Sequence, residues 1–260
     1  QITQLTETLI NILSDQGLQV VDSESKLNRI LKIAIWTTTP WTLPANLAIG
    51  VNEKLEYVFA ADNKNQLILV ASDLLLKFSE IVGINLVPKA KVMGSSLQGV
   101  LYTHPLFDRI SKVLIAGDYI TTESGTGLVH TAPGHGVDDF NTGCKYDLPV
   151  LCPVDEKGFL TKEAGQFEGL NVLKDANNEI IKSLQESGSL LKELPYEHKY
   201  PYDWRTKKPT IFRATEQWFA SVEGFRLNAL KAIDSVEWLP LSGRNRITSM
   251  VRERGDWCIS

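Results

Sequence analysis

Cysteine and long apolar runs are both scarce in this sequence. Only Cys144, Cys152 and Cys258 occur, and none forms a CxxC pair, which argues against a disulfide framework and a structural zinc site. The longest apolar runs are short, such as Leu67–Ala71, far below the length of a membrane helix. The chain begins at Gln1 without a basic-then-apolar leader. We therefore expect a soluble cytoplasmic fragment of a longer protein, with no membrane partner.

Several catalytic motifs are also missing. There is no G-x-S-x-G elbow and no glycine-rich loop ending in Lys-Ser or Lys-Thr, which excludes the corresponding serine hydrolases and P-loop proteins. His130 occupies the position of the third glycine of a dinucleotide fingerprint, so a dehydrogenase-like domain is disfavoured. No H-E-x-x-H pair occurs. His130 and His135 leave a metal site as an alternative, but we expect no metal.

Charge is unevenly distributed. The net charge of −4 gives little support to indiscriminate nucleic-acid binding. Residues 198–254 nevertheless contain a series of lysines and arginines. That region is either an RNA-facing surface or a solvated basic face, and the sequence leaves both interpretations open.

The hydrophobic pattern predicts a β-rich α+β fold, with a central barrel-like sheet and flanking helices. Proline and aromatic residues become frequent after about residue 195, which suggests a first domain over 1–195 and a connecting segment over 196–260. The predicted helices cover residues 2–16, 73–81, 138–146, 176–186, 216–232 and 243–253. The predicted strands cover residues 30–37, 57–60, 67–70, 91–93, 100–102, 119–121 and 127–131.

Two stretches of the sequence do not follow the pattern of regular helices and strands. The first reads W-T-T-T-P-W-T-L-P-A-N from Trp36 to Asn46, and its two prolines force the chain out of sheet pairing. Backbone groups and threonine hydroxyls are thereby left free to face a ligand, although threonines are also common in strands. The second reads G-T-G-L-V-H-T-A-P-G-H-G-V-D-D from residue 125 to 139. Its two aspartates would suit a helix N-terminus for electrostatic reasons alone.

Together, these two strings resemble the editing domain inserted into isoleucyl-tRNA synthetases, a class I aminoacyl-tRNA synthetase family. Valyl and leucyl relatives carry T-T-R-P where this chain has Thr37-Thr38-Thr39-Pro40, so Thr39 stands in the position of the arginine. The resemblance continues through residues 200–219 and 252–260, which look like the segment returning to the synthetic core. The HIGH and KMSKS signatures that handle ATP are absent from these residues, so no ATP-dependent ligase activity is expected here.

The resemblance implies a post-transfer editing hydrolase that removes valine from mischarged tRNA(Ile). Discrimination by one methylene is worth only ~1–3 kcal/mol, and isoleucyl-tRNA synthetase is itself the standard illustration of that limit. In the family's pattern Asp139 anchors the aminoacyl ammonium and His130 limits the size of the side chain. Thr37, Thr38 and Thr39 would hold the ester, the terminal adenosine and the attacking water.

Further contacts are implied less strongly. Asn46 would add a polar contact, and either Trp41 or Trp36 would stack on or wall the adenosine, with core packing the alternative for Trp36. His135 is a weak candidate for the proton acceptor. The implied partners are the acceptor end of tRNA(Ile) carrying valine and the rest of a monomeric synthetase. Editing would need no cofactor, with ATP and Mg²⁺ required only by the full-length enzyme.

Two rival functions remain open at this point. One is a non-catalytic tRNA-binding module in which Asp139 merely begins a helix. The other is an editing domain of the valyl type acting on threonine, which the absent T-T-R-P arginine disfavours.

Overall fold

The computed structural model describes residues 1–22, 24 and 26–260, which form two compact units, Gln1–Ala214 and Thr215–Ser260. The strands of the first unit are β1 (Ile2–Gln4), β2 (Leu31–Ile33), β3 (Ala48–Val51), β4 (Glu56–Ala61), β5 (Leu67–Ala71), β6 (Val87–Met93), β7 (Leu101–Thr103), β8 (Ile110–Ile115) and β9 (Val129–Thr131). Its α-helices are α1 (Glu7–Asp15), α2 (Leu75–Val82), α3 (Val137–Lys145) and α4 (Ala176–Glu186). Short 3-10 helices cover Pro40–Ala45, Ser72–Leu74, Gly94–Leu97 and Lys162–Phe167.

The strands of the first unit form two separate sheets. The five-stranded sheet has the order β1-β7-β8-β3-β9, and the four-stranded sheet has the order β2-β5-β4-β6. The α+β, sheet-rich prediction is confirmed, but the barrel-like arrangement is wrong. A barrel requires every strand to be paired on both sides, whereas the described part of the chain leaves β1, β9, β2 and β6 as sheet edges.

The main hydrophobic core explains why two sheets replace a barrel. Ile49 and Val113 from the five-stranded sheet share one buried cluster with Tyr57 and Leu69 from the four-stranded sheet. Helix α1 contributes buried leucines to the same cluster. Packing the apolar faces of two sheets together removes them from water without closing either sheet on itself.

Two smaller cores support the regions around this centre. Helix α2 packs with Val58 and Val70 on the other face of the four-stranded sheet. Helix α4 packs with Trp41 and Leu43, which belong to the 3-10 helix Pro40–Ala45. The proline-rich segment is therefore anchored by apolar burial as well as by its backbone geometry.

Helices were predicted more accurately than strands. Helix α4 has the predicted bounds, and α2 ends at Val82, directly before Gly83, which adopts the left-handed conformation that favours glycine. Helix α1 begins only after Thr6, because residues 2–4 pair as β1 with β7. The pattern missed β3 and β8. Residues 119–121 form no strand, since the chain turns at Gly117 directly after β8.

The second unit consists of helices α5 (Glu223–Asp234) and α6 (Ser242–Glu253) with a ribbon of β10 (Phe219–Ala220) and β11 (Trp257–Cys258). Its buried apolar side chains are Val222 and Ile233. Compactness places the division after Ala214, later than the predicted boundary near residue 195. Residues 196–214 belong with the first unit because, for example, the Ala214 amide donates to the Gly134 carbonyl.

None of the helices in residues 1–22, 24 and 26–260 is long and apolar enough to cross a membrane.

Candidate functional site

The threonine segment follows β2 and turns directly into the 3-10 helix Pro40–Ala45. Proline at its first position matches the fixed φ that a helix start requires. The Thr37 hydroxyl accepts from the Thr39 amide at 3.0 Å, and Thr42 Oγ1 donates to the Thr39 carbonyl at 2.9 Å. Thr37, Thr38 and Thr39 are only half-buried. The segment is therefore held by its own hydroxyls while part of its polar surface faces solvent.

The second segment runs from β9 through a sharp turn into α3. The turn packs tightly, because a Cβ at Gly134 would collide with the Leu151 carbonyl. Asp138 and Asp139 lie in the first turn of α3, where a helix N-terminus favours negative charge. Asp139 Oδ2 accepts from the Ala132 amide at 2.9 Å. This bond brings the carboxylate back to the end of β9, two residues from His130.

Strand pairing brings the two segments together. Strand β3 begins just after Asn46 and pairs antiparallel with β9, with Ile49 opposite His130. His130 Nε2 lies 2.8 Å from Thr42 Oγ1, and His130 Nδ1 lies 3.0 Å from Asn46 Nδ2. Residues more than 80 positions apart, as in the Asn46–His130 separation of 84, are thus joined at one sheet edge.

Burial fixes the protonation state of His130. The side chain is 8 % exposed, and burial lowers the pKa of its imidazole to about 3, with small contributions from His104 and His135. The ring is therefore neutral at pH 7. Both ring nitrogens are used inside the protein, so His130 has no free lone pair with which to take a proton from water.

Burial acts in the opposite direction on Asp139. It raises the pKa of the carboxyl to about 6, which the hydrogen bond from Ala132 offsets in part and the nearby Asp138 reinforces. The carboxylate makes no salt bridge within the described ranges. An ionised carboxylate with one backbone donor and no cation beside it is incompletely stabilised.

The structure distinguishes the two tryptophans by their burial. Trp41 is 4 % exposed and packs in the core with α4, while its amide donates to Asn177 Oδ1 at 2.9 Å. The expectation that Trp41 contacts a ligand gains no support from this geometry, because its ring is enclosed by apolar side chains. Trp36 is 40 % exposed beside the threonine segment and packs edge-to-face on Tyr196.

Asn46 is also not placed to contact a ligand. It is buried, and its amide nitrogen donates to both the Ala48 carbonyl and His130 Nδ1, while Tyr102 donates to its oxygen at 2.6 Å. The structure therefore makes Asn46 a support for His130. The predicted polar contact between Asn46 and a substrate gains no support from this geometry, since both amide hydrogens are already used.

Sequence reasoning missed three residues from the β7–β8 hairpin that hold the proline-rich segment. They are Tyr102, His104 and Arg109. Arg109 Nη1 donates to the carbonyls of Pro44 and Asn46 at 3.0 and 2.7 Å. These residues share no motif with that segment, so only the tertiary structure could identify them.

His135 is enclosed in the turn before α3. Its Nδ1 lies 3.0 Å from the Phe212 carbonyl, so this nitrogen carries the proton and Nε2 is a bare acceptor. Nε2 is buried without a partner among the described residues. Burial also lowers the pKa of the ring. Because Nε2 is shielded from solvent, the geometry gives no support to His135 as the proton acceptor.

Open clefts lie beside two helices of the first unit. One of ≈ 250 Å³ lies against α3 and is lined by Ala116, Tyr119, Asp138, Asn141, Thr142 and Lys145. The other, of ≈ 430 Å³, lies against α4. The candidate residues line neither of these clefts. No group of three or more histidine, cysteine or carboxylate side chains is placed to hold a metal in the part of the chain that is described.

Comparison with known proteins decides the family. Residues 8–260 match the family model described as tRNA synthetases class I (I, L, M and V). The chain belongs to the class I tRNA synthetases. Among its relatives in this family are isoleucine–tRNA ligases of Prochlorococcus marinus (strain NATL2A), 67 % identical over 260 residues, and of Synechococcus sp. (strain CC9311), 64 % identical over 259 residues. These alignments cover 100 % of this chain and 27 % of each ligase.

Solved structures share the fold of this class I synthetase chain at low sequence identity. A structure described as GlLeuRS-CP1 aligns with a TM-score of 0.57 and 16 % identity, over 74 % of this chain and 93 % of that one. The P. knowlesi cytosolic leucyl-tRNA synthetase editing domain aligns with a TM-score of 0.52 and 11 % identity, over 72 % and 92 % of the two chains. The chain spans only 27 % of the length of the Prochlorococcus marinus (strain NATL2A) ligase.

Proposed function

We propose that this chain is the editing module of an isoleucine–tRNA ligase and hydrolyses valine from mischarged tRNA(Ile). The identity to isoleucine–tRNA ligases and the fold shared with a leucyl-tRNA synthetase editing domain both support this function. The threonine and His130–Asp139 segments support it from within the chain, because they meet at one edge of a sheet.

The observation that carries the proposal is the incompletely stabilised carboxylate of Asp139. Burial raises its pKa to about 6, yet most molecules are ionised at pH 7. An aminoacyl ammonium would supply the missing cation through a charge-assisted hydrogen bond. In this proposal Asp139 binds the amino group of the esterified amino acid, and the binding energy comes from a carboxylate that the fold has left without a partner.

His130 acts as a rigid wall rather than as a base. Its ring is neutral and is held on both nitrogens by Asn46 and Thr42. A wall that separates valine from isoleucine must not yield by the size of one methylene, and such a double attachment limits movement of the ring. Steric exclusion of the longer side chain is then the source of the selectivity.

Hydrolysis requires an oriented water and a polarised ester carbonyl, and no covalent nucleophile. Thr37, Thr38 and Thr39 are half-buried and carry hydroxyls on the segment that Thr42 links to His130. The Thr37 hydroxyl accepts from the Thr39 amide and lies 3.4 Å from the Thr39 hydroxyl. One of these two hydroxyls donates to the other, and in this proposal the hydrogen of the accepting hydroxyl is turned toward the ester or the water. We assign the proton acceptor to no protein residue.

The proposed partners are the acceptor end of tRNA(Ile) and the remaining part of a longer, monomeric synthetase in the cytoplasm. The exposed Trp36 ring, next to Thr37, is the surface that we assign to the terminal adenosine. The second unit would lead toward the synthetic core. ATP and Mg²⁺ would serve only that core, and editing would use no cofactor.

The experiment is release of amino acid from preformed Val-tRNA(Ile) and Ile-tRNA(Ile) by this chain without ATP. We expect rapid loss of valine and slow loss of isoleucine. Binding of both tRNAs without release of either amino acid would instead favour the non-catalytic RNA-binding module. Release of threonine from Thr-tRNA(Val) in preference to valine from Val-tRNA(Ile) would identify a valyl-type domain.

A further inference from the structure

The buried hydroxyl of Tyr102 starts a chain of hydrogen bonds that ends in the threonine segment. Tyr102 donates to Asn46 Oδ1 at 2.6 Å, and the Asn46 amide nitrogen contacts His130 Nδ1 at 3.0 Å. His130 Nε2 contacts Thr42 Oγ1 at 2.8 Å, and Thr42 Oγ1 donates to the Thr39 carbonyl at 2.9 Å. Four side chains therefore link strand β7 to the segment that carries the threonine hydroxyls.

Each donor in this chain can be assigned. Burial raises the pKa of Tyr102, so the phenol keeps its proton and can donate. Because Tyr102 donates to the Asn46 oxygen and the Ala48 carbonyl accepts from its nitrogen, the amide must face His130 with its NH₂ group. Nδ1 of His130 is then the acceptor and Nε2 carries the proton, which matches the bond that Thr42 accepts while donating to Thr39.

We propose that Tyr102 is a positioning residue for the proposed hydrolysis, which acts through Asn46 to fix the orientation and the tautomer of His130. This inference rests on the function proposed above. Tyr102 lies on β7, two strands from β3 in the sheet order, and it is buried. It therefore influences the substrate only through the side chains that it orients.

Tyr57 provides a matched control. Both tyrosines are buried, and each hydroxyl donates a hydrogen bond inside the protein. The Tyr57 hydroxyl donates to the Gly127 carbonyl and accepts from the Asn52 amide, whereas the Tyr102 hydroxyl donates to Asn46. Removing either hydroxyl leaves a buried polar group without its partner, so both changes should destabilise the fold to a similar extent. Only the change at Tyr102 interrupts the chain to His130.

The first test is ¹⁵N NMR of the histidine rings in the whole chain, with His130 assigned by comparison with His130→Gln. We expect the unchanged protein to show a protonated Nε2 and a hydrogen-bonded, unprotonated Nδ1. In Tyr102→Phe the Nδ1 resonance should shift as the bond from Asn46 weakens, and in Tyr57→Phe it should stay. A His130 spectrum identical in Tyr102→Phe and the unchanged protein, or an Nδ1-protonated ring in the latter, would overturn the inference.

The second test is the rate of valine release from Val-tRNA(Ile). Tyr102→Phe should lower kcat about tenfold, the effect of one buried acceptor left unpaired, and leave KM within about twofold because Asp139 is untouched. Tyr57→Phe should keep kcat within about twofold. Equal loss of kcat in both variants would reduce Tyr102 to a structural residue. If the unchanged chain releases no valine, the proposed function fails, while the NMR test still decides whether Tyr102 fixes His130.

Discussion

The polar groups around His130 and the carboxylate of Asp139 differ in how completely they are hydrogen-bonded. On one side, both nitrogens of His130 are occupied by Asn46 and Thr42, and both amide hydrogens of Asn46 are used. On the other side, Asp139 has one backbone donor and no salt bridge in the described residues. The pKa values follow the same division, because burial leaves His130 neutral and Asp139 ionised against a raised pKa.

This difference indicates that the His130 network stabilises the site, whereas Asp139 is available to bind a ligand. A buried polar network in which each member has its partners is rigid and contributes to stability. A half-buried carboxylate without a cation lowers stability, and a bound ammonium can recover that energy. Substitutions on the His130 side should therefore reduce stability and selectivity, whereas substitutions at Asp139 should reduce hydrolysis without destabilising the protein.

The largest expected effect is that of Asp139→Asn on hydrolysis. Loss of the negative charge removes the proposed ammonium contact, so we expect the rate of valine release to fall at least ~100-fold. The melting temperature should be unchanged or higher, because the amide oxygen can still accept from Ala132 and a half-buried charge has been removed. Deacylation assays and calorimetry of the same sample measure the two quantities.

Asp138→Asn is the matched control for that substitution. Asp138 lies in the same helical turn but is exposed, so the rate of valine release should stay within about threefold of the original. Comparable decreases in the rate of valine release for Asp138→Asn and Asp139→Asn would mean that the helix N-terminus needs negative charge in general. That result would contradict a specific anchoring role for Asp139.

His130→Ala should affect both selectivity and stability. Removing the wall should raise the ratio of isoleucine to valine release about tenfold. The free energy of unfolding should fall by about 2–4 kcal/mol, because a buried ring and two hydrogen bonds disappear. If His130→Ala does not fold, His130→Gln retains a polar side chain for the same measurements. Undiminished discrimination in a folded variant would place the size filter elsewhere.

The pH dependence separates the two sides through Asp139. As the pH falls below about 6, the carboxyl becomes protonated, and kcat/KM for valine release should decrease about tenfold per pH unit. Stability has the opposite sign. Since the folded pKa lies above the unfolded value of ~3.9, the contribution of Asp139 is fully present below about pH 4 and is lost as the pH rises through about 6.

Two measurements check the pH prediction. The kcat/KM profile of the unchanged protein should rise from pH 5 to 7, and a flat profile would contradict the anchoring role of Asp139. Chemical denaturation across the same range should show that Asp139→Asn gains stability relative to the unchanged protein as the pH increases. A constant difference between the two proteins would mean that the carboxyl is not buried in solution.

The smallest expected effect is that of Thr42→Val on stability. The change removes one hydroxyl that links His130 Nε2 to the Thr39 carbonyl, and we expect a loss of about 1–2 kcal/mol in urea unfolding. Thr42→Ser keeps the hydroxyl, so its free energy of unfolding should decrease less than that of Thr42→Val. Equal losses in the two variants would show that the methyl group, and not the hydrogen bonds, stabilises this position.

Local sequence was sufficient where an element depends on its own periodicity and ends. Helix α4 packs one apolar face and was predicted with its bounds, and α2 ends where Gly83 permits a left-handed residue. Strands were harder to predict. In β3 all four residues are buried, so the alternation that marks a half-buried strand is absent. Residues 2–4 follow a helical pattern but pair with β7 because a partner strand is available.

For the site, the sequence by itself determined the two motifs and therefore the family to which they point. Thr37 to Thr39, His130 and Asp139 are identifiable because those motifs resemble the pattern of the family. Their roles in the proposed reaction remain predictions. The sequence could not show which tryptophan is buried, since burial of Trp41 depends on α4, which lies more than a hundred residues further along the chain.

Only the tertiary structure decided that the threonine segment and His130 meet, that Asn46 supports the histidine, and that Tyr102 orients Asn46. The physical reason is that strand pairing and hydrogen bonding join residues distant in sequence, as in the contact between Asn46 and His130 across 84 positions. The pKa of Asp139 belongs to the same class of property. An aspartate carboxyl group has the same intrinsic pKa wherever it stands in a sequence. Burial, which only the fold creates, raises the pKa of Asp139 to about 6.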